Sequence, residues 1–164
     1  MNRLTRRLAT SAAVGTIAAA SLLTGVGQAS ASSTTVNGWS TWSNPVRCKD
    51  SNGATVTMCL YYSPNAAGAF TMGYSMYDST ISETFWKTDY IGSAGYGQAV
   101  RNNAASVENA GYSTLGVWVS PWFTGDSNLI PGGRGGNLTP RLRNNEASWG
   151  FIGSLPGSPV LRLD

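Results

Sequence analysis

Two blocks of this chain occur twice and in the same order. Leu60-Tyr61-Tyr62-Ser63-Pro64-Asn65-Ala66-Ala67-Gly68 returns as Val117-Trp118-Val119-Ser120-Pro121-Trp122-Phe123-Thr124-Gly125. Val100-Arg101-Asn102-Asn103-Ala104-Ala105-Ser106 returns as Leu142-Arg143-Asn144-Asn145-Glu146-Ala147-Ser148. Matched blocks in a matched order point to an internal duplication, and a duplicated unit too small to bury its own core must pack against its copy. The first blocks are 57 residues apart and the second 42, so repeat 1 carries about fifteen extra residues, placed within Met72 to Gly97.

Each repeat reads as strands. Thr55 to Tyr61 and Leu115 to Val119 alternate or run apolar, as half-buried and buried strands do. The helical period is poor everywhere; the best window, Tyr96 to Ala105, is broken by Gly97 and ends near paired asparagines. The Gly that follows Ser-Pro-x-x-x suits a folded hairpin needing positive φ, and Arg-Asn-Asn-x-Ala-Ser reads as a loop before a last strand starting at Val107 or Trp149. The expected architecture is all-β, a sandwich of two four-stranded Greek-key motifs, with repeat 1 over about residues 46–110 and repeat 2 over about 111–153.

The first 31 residues are set apart. Arg3, Arg6 and Arg7 precede an uncharged stretch from Leu8 to Val26, and Ala29-Ser30-Ala31 supplies a small-x-small cleavage pattern. This is a secretory signal peptide, cleaved after Ala31; Arg6-Arg7 leaves a twin-arginine route open beside the general one. Residues 32–45 form an N-terminal segment, and 46–164 the duplicated domain. Removing residues 1–31 takes three of eleven Lys and Arg and none of eight Asp and Glu, so the mature chain is formally neutral. It lacks the basic footprint that nucleic acid or an anionic membrane requires, and it is expected to be a secreted monomer.

Export to an oxidising compartment predicts one disulfide, Cys48–Cys59. Asp50-Ser51-Asn52-Gly53 lies between them as a turn signal. With a four-residue loop at 52–55, Ser51 faces Val56 and Cys48 falls opposite Cys59, so the bridge would staple a hairpin, stabilising by ~2–3 kcal/mol.

The duplicated hairpin and Asn-Asn-x-x-Ser loop resemble those of βγ-crystallin domains. The opening Cys48…Cys59-Leu60-Tyr61-Tyr62, with Ala105-Ser106-Val107-Glu108-Asn109 downstream, is similar to secreted bacterial proteins of the metalloproteinase-inhibitor family, which use that fold. The resemblance covers about residues 46–153. It implies a secreted peptidase inhibitor whose partner is an extracellular protease. The stretch Trp122 to Gly136 is the candidate contact region, with Trp122, Leu129, Ile130 and Arg134 as contact residues. Four glycines in 132–136 predict a flexible loop there, and no second disulfide is available to clamp it.

The resemblance also implies candidate calcium ligands: Asn102, Asn103, Ser106, Asn144, Asn145 and Ser148. Two registers fit. In one, Asn102 and Asn144 lead and Ser106 and Ser148 supply the hydroxyl ligand. In the other, Ser106 and Ser148 close the motif, Arg101 and Arg143 lead, and Ala105 and Ala147 stand at the hydroxyl position. The second is preferred, because a large apolar residue then follows the closing Ser. Neither loop offers an Asp, and calcium wants carboxylates; asparagines bonding their own turns is the simpler reading, and no cofactor is required.

Catalysis is not expected. The chain has no histidine, hence no Ser-His-Asp or Cys-His arrangement. Asp78, Glu83, Asp89, Glu108, Asp126 and Glu146 are scattered and fit solvated turns. The alternative to inhibition is a secreted non-catalytic binding or structural module. Trp39, Trp42, Trp86, Trp118, Trp122 and Trp149 are its candidate carbohydrate platforms, although Trp118, mid-strand, is expected in the core.

Overall fold

Both repeats build the same hairpin, to the residue. In the computed structural model, which describes residues 31–41, 48–49, 52, 54, 56–86 and 92–157, ten strands follow one another. They are β1 Ser33–Thr35, β2 Trp39–Ser40, β3 Met58–Ser63, β4 Ala67–Gly73, β5 Tyr77–Asp78, β6 Ser106–Asn109, β7 Leu115–Ser120, β8 Thr124–Ile130, β9 Arg134–Asn137 and β10 Ser148–Phe151. In repeat 1, Met58 pairs with Gly73 and Ser63 with Ala67, with an irregularity between Tyr61 and Ser63. In repeat 2, Leu115 pairs with Ile130 and Ser120 with Thr124, with the irregularity between Trp118 and Ser120. Every position is offset by the 57 residues seen in the sequence.

The hairpin tips repeat too. Asn65 and Ala66 have φ of 60° and 51°, and Trp122 and Phe123 have 59° and 60°. Gly68 and Gly125 follow at φ 76° and 78°, the left-handed region where glycine is at ease. One buried serine holds each tip. Ser106 Oγ donates to Ser63 O (2.7 Å) and accepts from Ala66 N (3.0 Å). Ser148 Oγ donates to Ser120 O (2.7 Å) and accepts from Phe123 N (3.2 Å).

Two five-stranded sheets result, ordered β1-β8-β7-β10-β5 and β2-β9-β6-β3-β4. The fold is an all-β sandwich. The third strand of each repeat crosses over: β5 pairs with β10 of repeat 2, and β9 with β6 of repeat 1. Each sheet therefore needs a strand from the other half. Between the sheets lies the core, including Met58, Leu60, Phe85, Val107, Leu115, Val117, Ile130, Leu138, Leu142, Trp149 and Phe151. Phe85 comes from the fifteen-residue excess of repeat 1, so that insertion is partly core rather than surface loop.

The N-terminal segment adds a strand to each sheet. β1 lies parallel to β8, and β2 antiparallel to β9. A second apolar cluster of Cys48, Cys59, Tyr61, Ala66, Phe70 and Met72, with Trp39 and Val56 against it, covers the other face of the second sheet. The Cys48–Cys59 disulfide sits here, with Cα atoms 5.5 Å apart. It does not staple the expected hairpin. Both edges of β3 are already taken, by β4 and β6, and the Cys48 carbonyl instead accepts from Val56 N (3.2 Å). Residues 50, 51, 53 and 55 lie outside the described residues, as do residues 1–30 of the expected signal peptide, Trp42 and residues 158–164. No helix among the described residues is long and apolar enough to cross a membrane.

The serine clamps predict the first measurement. Removing either hydroxyl leaves a tip amide, buried at Ala66 and part-buried at Phe123, without its acceptor, which costs about 1–3 kcal/mol. Ser106→Ala and Ser148→Ala should each lower the urea unfolding free energy by that amount. Equal stability of the wild type and both variants would show that the clamps contribute nothing.

Candidate functional site

Three surfaces carry the candidate residues: the paired Asn-Asn loops, the tip of the repeat 2 hairpin, and a groove beside the repeat 1 insertion.

The Asn-Asn loops lie against each other. Asn102 N donates to Glu146 O (2.9 Å) and Asn144 N to Ala104 O (2.9 Å), two bonds related by the same 42-residue offset. Asn102 and Asn144 take φ of 63° and 57°, a conformation that asparagine tolerates better than most residues. The Asn103 amide donates to Arg101 O (3.4 Å) and the Asn145 amide to Arg141 O (3.1 Å), so these side chains bond their own turns. The Ser106 and Ser148 hydroxyls are taken up in closing the hairpins.

Glu146 is the unexpected member of this surface. It is fully buried. Its Oε1 accepts from Asn103 N (3.0 Å) and Ala104 N (2.8 Å), and its Oε2 from Asn145 N (3.1 Å). One carboxylate thus ties both loops together from beneath. Burial pushes its pKa up to about 7, against main-chain donors that favour the charged form.

Glu108 is also fully buried. It accepts from Trp39 Nε1 (2.8 Å) and from Tyr61 Oη (2.7 Å), while Tyr61 Oη accepts from Cys48 N (3.0 Å). These two glutamates therefore do not belong to solvated turns. The sequence does not mark them as buried, because Glu108 follows Ser-Val and Glu146 follows Asn-Asn in short stretches with no resolvable period. The sign available for Glu146 was its place inside a duplicated block, next to positions that must be buried; Glu108 lies two residues beyond the matching block.

At the repeat 2 tip, Trp122 is 68% exposed. Its backbone is fixed by a bond from Trp122 N to Ser79 O (2.8 Å), and the neighbouring Phe123 ring packs edge-on against Tyr77 and Trp118. The other three predicted contact residues do not join it. Ile130 is fully buried and belongs to the core, so it is withdrawn as a contact residue. Leu129 is half-buried and pairs with Thr35 of β1, roughly 17 Å along β8 from the tip at ordinary strand rise. Arg134 is exposed, but opens β9 in the other sheet.

Two of the four glycines of 132–136 stand in a strand rather than a loop, Gly132 and Gly133 forming the turn before it. Gly135 and Gly136 sit inside β9, Gly135 paired with Trp39 and Glu108 on its two sides and Gly136 with Val107. A Cβ on Gly135 would strike the Trp39 indole, and one on Gly136 would strike Val36. Close packing of the N-terminal segment requires glycine there.

The chain matches no protein-family model, no curated protein and no solved structure.

The groove lies at the end of β4, about 500 Å³ in volume, lined by Thr71, Met72, Gly73, Tyr74, Ser75, Glu83, Trp86 and Trp149. Tyr74 and Trp86 are 72% and 42% exposed, whereas Trp118 and Trp149 are buried. Desolvation raises the Glu83 pKa, and the neighbouring Asp78 carboxylate raises it further. Among the described residues, no three His, Cys, Asp or Glu side chains come together to hold a metal ion.

Glu146 predicts a pH dependence. Its folded pKa of about 7 lies above the ordinary 4.5, so the stability linked to its proton is full below pH 4.5 and is lost as pH rises through 7. Urea unfolding should give a lower free energy at pH 8 than at pH 5, by on the order of 3 kcal/mol. Glu146→Gln should flatten most of that slope, with Glu83 leaving a smaller one in the same direction. An unchanged slope in the variant would contradict this.

Proposed function

We propose that this chain is a secreted peptidase inhibitor on a βγ-crystallin-like sandwich of two Greek keys, exported by the signal peptide of residues 1–31. Trp122 carries the reading. A large apolar side chain stands out from a tip whose two left-handed residues are held by Ser79 O, Ser148 Oγ and the Phe123 ring packing. Inhibitors bind tightly by offering anchors already fixed in position, so that little ordering is lost on association. The same rigidity makes a bound segment a poor substrate, because it resists the rearrangement that cleavage requires.

The proposed contact surface is therefore narrower than the sequence suggests, and centres on the tip rather than on residues 129–136. Calcium is not needed for it. The Ser106 and Ser148 hydroxyls close hairpins, the Asn103 and Asn145 amides bond their own turns, and the Glu146 carboxylate faces inward. Calorimetric detection of a micromolar calcium site would oppose this part of the reading.

One observation favours a second reading, a carbohydrate-binding module. Tyr74 and Trp86 offer exposed aromatic faces beside Glu83 and Ser75 in the groove. Apolar sugar faces stack on such rings while nearby polar groups fix orientation.

One comparison separates the two. The secreted protein should inhibit a thermolysin-like or subtilisin-like peptidase, and Trp122→Ala should raise the inhibition constant about thirtyfold, or about 2 kcal/mol. Trp86→Ala should leave inhibition unchanged. Absence of inhibition, with retention on insoluble polysaccharide that Trp86→Ala abolishes, would replace the first reading by the second.

A further inference from the structure

Asp126 holds the main-chain nitrogen of Ser32. Its Oδ1 accepts from Ser32 N (2.7 Å) and from Ser32 Oγ (2.9 Å), and its Oδ2 lies 2.8 Å from the Arg141 guanidinium. The strand that follows is anchored at once: Ser127 N donates to Ser32 O (2.8 Å), and the Ser33 and Ser127 hydroxyls share a hydrogen bond of 2.7 Å. The small-x-small pattern Ala29-Ser30-Ala31 ends one residue earlier. A cleavage signal in the sequence and a carboxylate in the fold thus meet on one atom.

We propose that Asp126 is the receptor for the α-ammonium group released at Ser32 when residues 1–31 are removed, and that this ion pair locks β1 onto the first sheet. Signal peptidase hydrolyses the Ala31–Ser32 bond. Water gives its hydroxide to the Ala31 carbonyl carbon and a proton to the Ser32 nitrogen, which takes a further proton from solvent at neutral pH. An amide with one N–H becomes an ammonium with three donors and a full charge, and hydrogen bonds between charged groups are the stronger kind. The Ser32 contacts already hold the Asp126 pKa below its ordinary value. Asp126 from β8 and Arg141 from the loop before β10 are the charged groups described around this nitrogen. The proposal rests on export and cleavage after Ala31, and is independent of whether the protein inhibits a peptidase.

The test uses the protein secreted from the full precursor. Mass spectrometry should find Ser32 as its first residue. Titration of its α-amine, followed by the pH dependence of amine labelling, should give a pKa above the ordinary range of about 7.7–8.0. In Asp126→Asn, which keeps a side-chain acceptor of the same shape, the amine should return to that range. A different first residue, or a wild-type amine inside the ordinary range, would overturn the proposal even if the variant fails to fold. An equal amine pKa in wild type and a folded variant would overturn it as well.

Discussion

The two halves of the molecule meet through a reciprocal pair of main-chain hydrogen bonds, Asn102 N to Glu146 O and Asn144 N to Ala104 O. Around that contact the structure is organised by approximate two-fold symmetry. Each loop leads directly into the serine that clamps its hairpin tip, and then into the last strand of its repeat. Because β5 and β9 pair in the opposite half's sheet, neither repeat can complete a sheet alone. The loops therefore join two units that have already exchanged strands. The Glu146 carboxyl beneath them receives three main-chain N–H groups; those of Asn103 and Asn145 also donate to Val100 O and Leu142 O in their own turns, so it is at buried Ala104 N that losing the carboxyl costs most.

Divergence between the copies supplies the candidate surfaces. The tip positions that hold Asn65 and Ala66 in repeat 1 hold Trp122 and Phe123 in repeat 2. Asn65 engages Asn137, through its own N–H to Asn137 Oδ1 and its Oδ1 from Asn137 Nδ2, whereas the Trp122 side chain stands out. The fifteen extra residues of repeat 1 send Phe85 into the core and leave Trp86 beside the groove. One frame thus presents an exposed tryptophan from one copy and a concave aromatic surface from the other. The N-terminal segment is the third addition: β1 and β2 extend one sheet each, with Trp39 bonded to buried Glu108.

Much of the fold is legible in the sequence because repetition carries more information than local pattern. The hairpins at β3–β4 and β7–β8 and the positive φ of Gly68 and Gly125 fall where the repeated blocks predict, whereas the clamping by Ser106 and Ser148 is visible only in the structure. The exchange of third strands is not legible. β5 is two residues long and β9 is half glycine, so neither shows a period. The glycines of β9 read as flexibility because their cause, the close approach of Trp39 and Val36, lies about a hundred positions away in the chain. The cysteine hairpin fails for a similar reason: local turn chemistry proposes a neighbour for Cys59, but β4 and β6 already occupy both edges of its strand. Of the candidate contact residues, the exposure of Trp122 could be read from its place at a tip. Ile130 could not, since an apolar residue before Pro131 looks the same at a loop and at the end of a core strand.

The central claim is that the two repeats are a single cooperative unit joined through the loops and exchanged strands. Native-state amide hydrogen exchange tests it most directly, at Ala66 and Phe123 in the tips and at Asn102 and Asn144 in the loops. The structure predicts that all four amides exchange only through global unfolding, with equal opening free energies that fall together as denaturant is added. Amides of one repeat opening at a distinctly lower free energy than those of the other would show that the halves unfold separately, and would contradict the account.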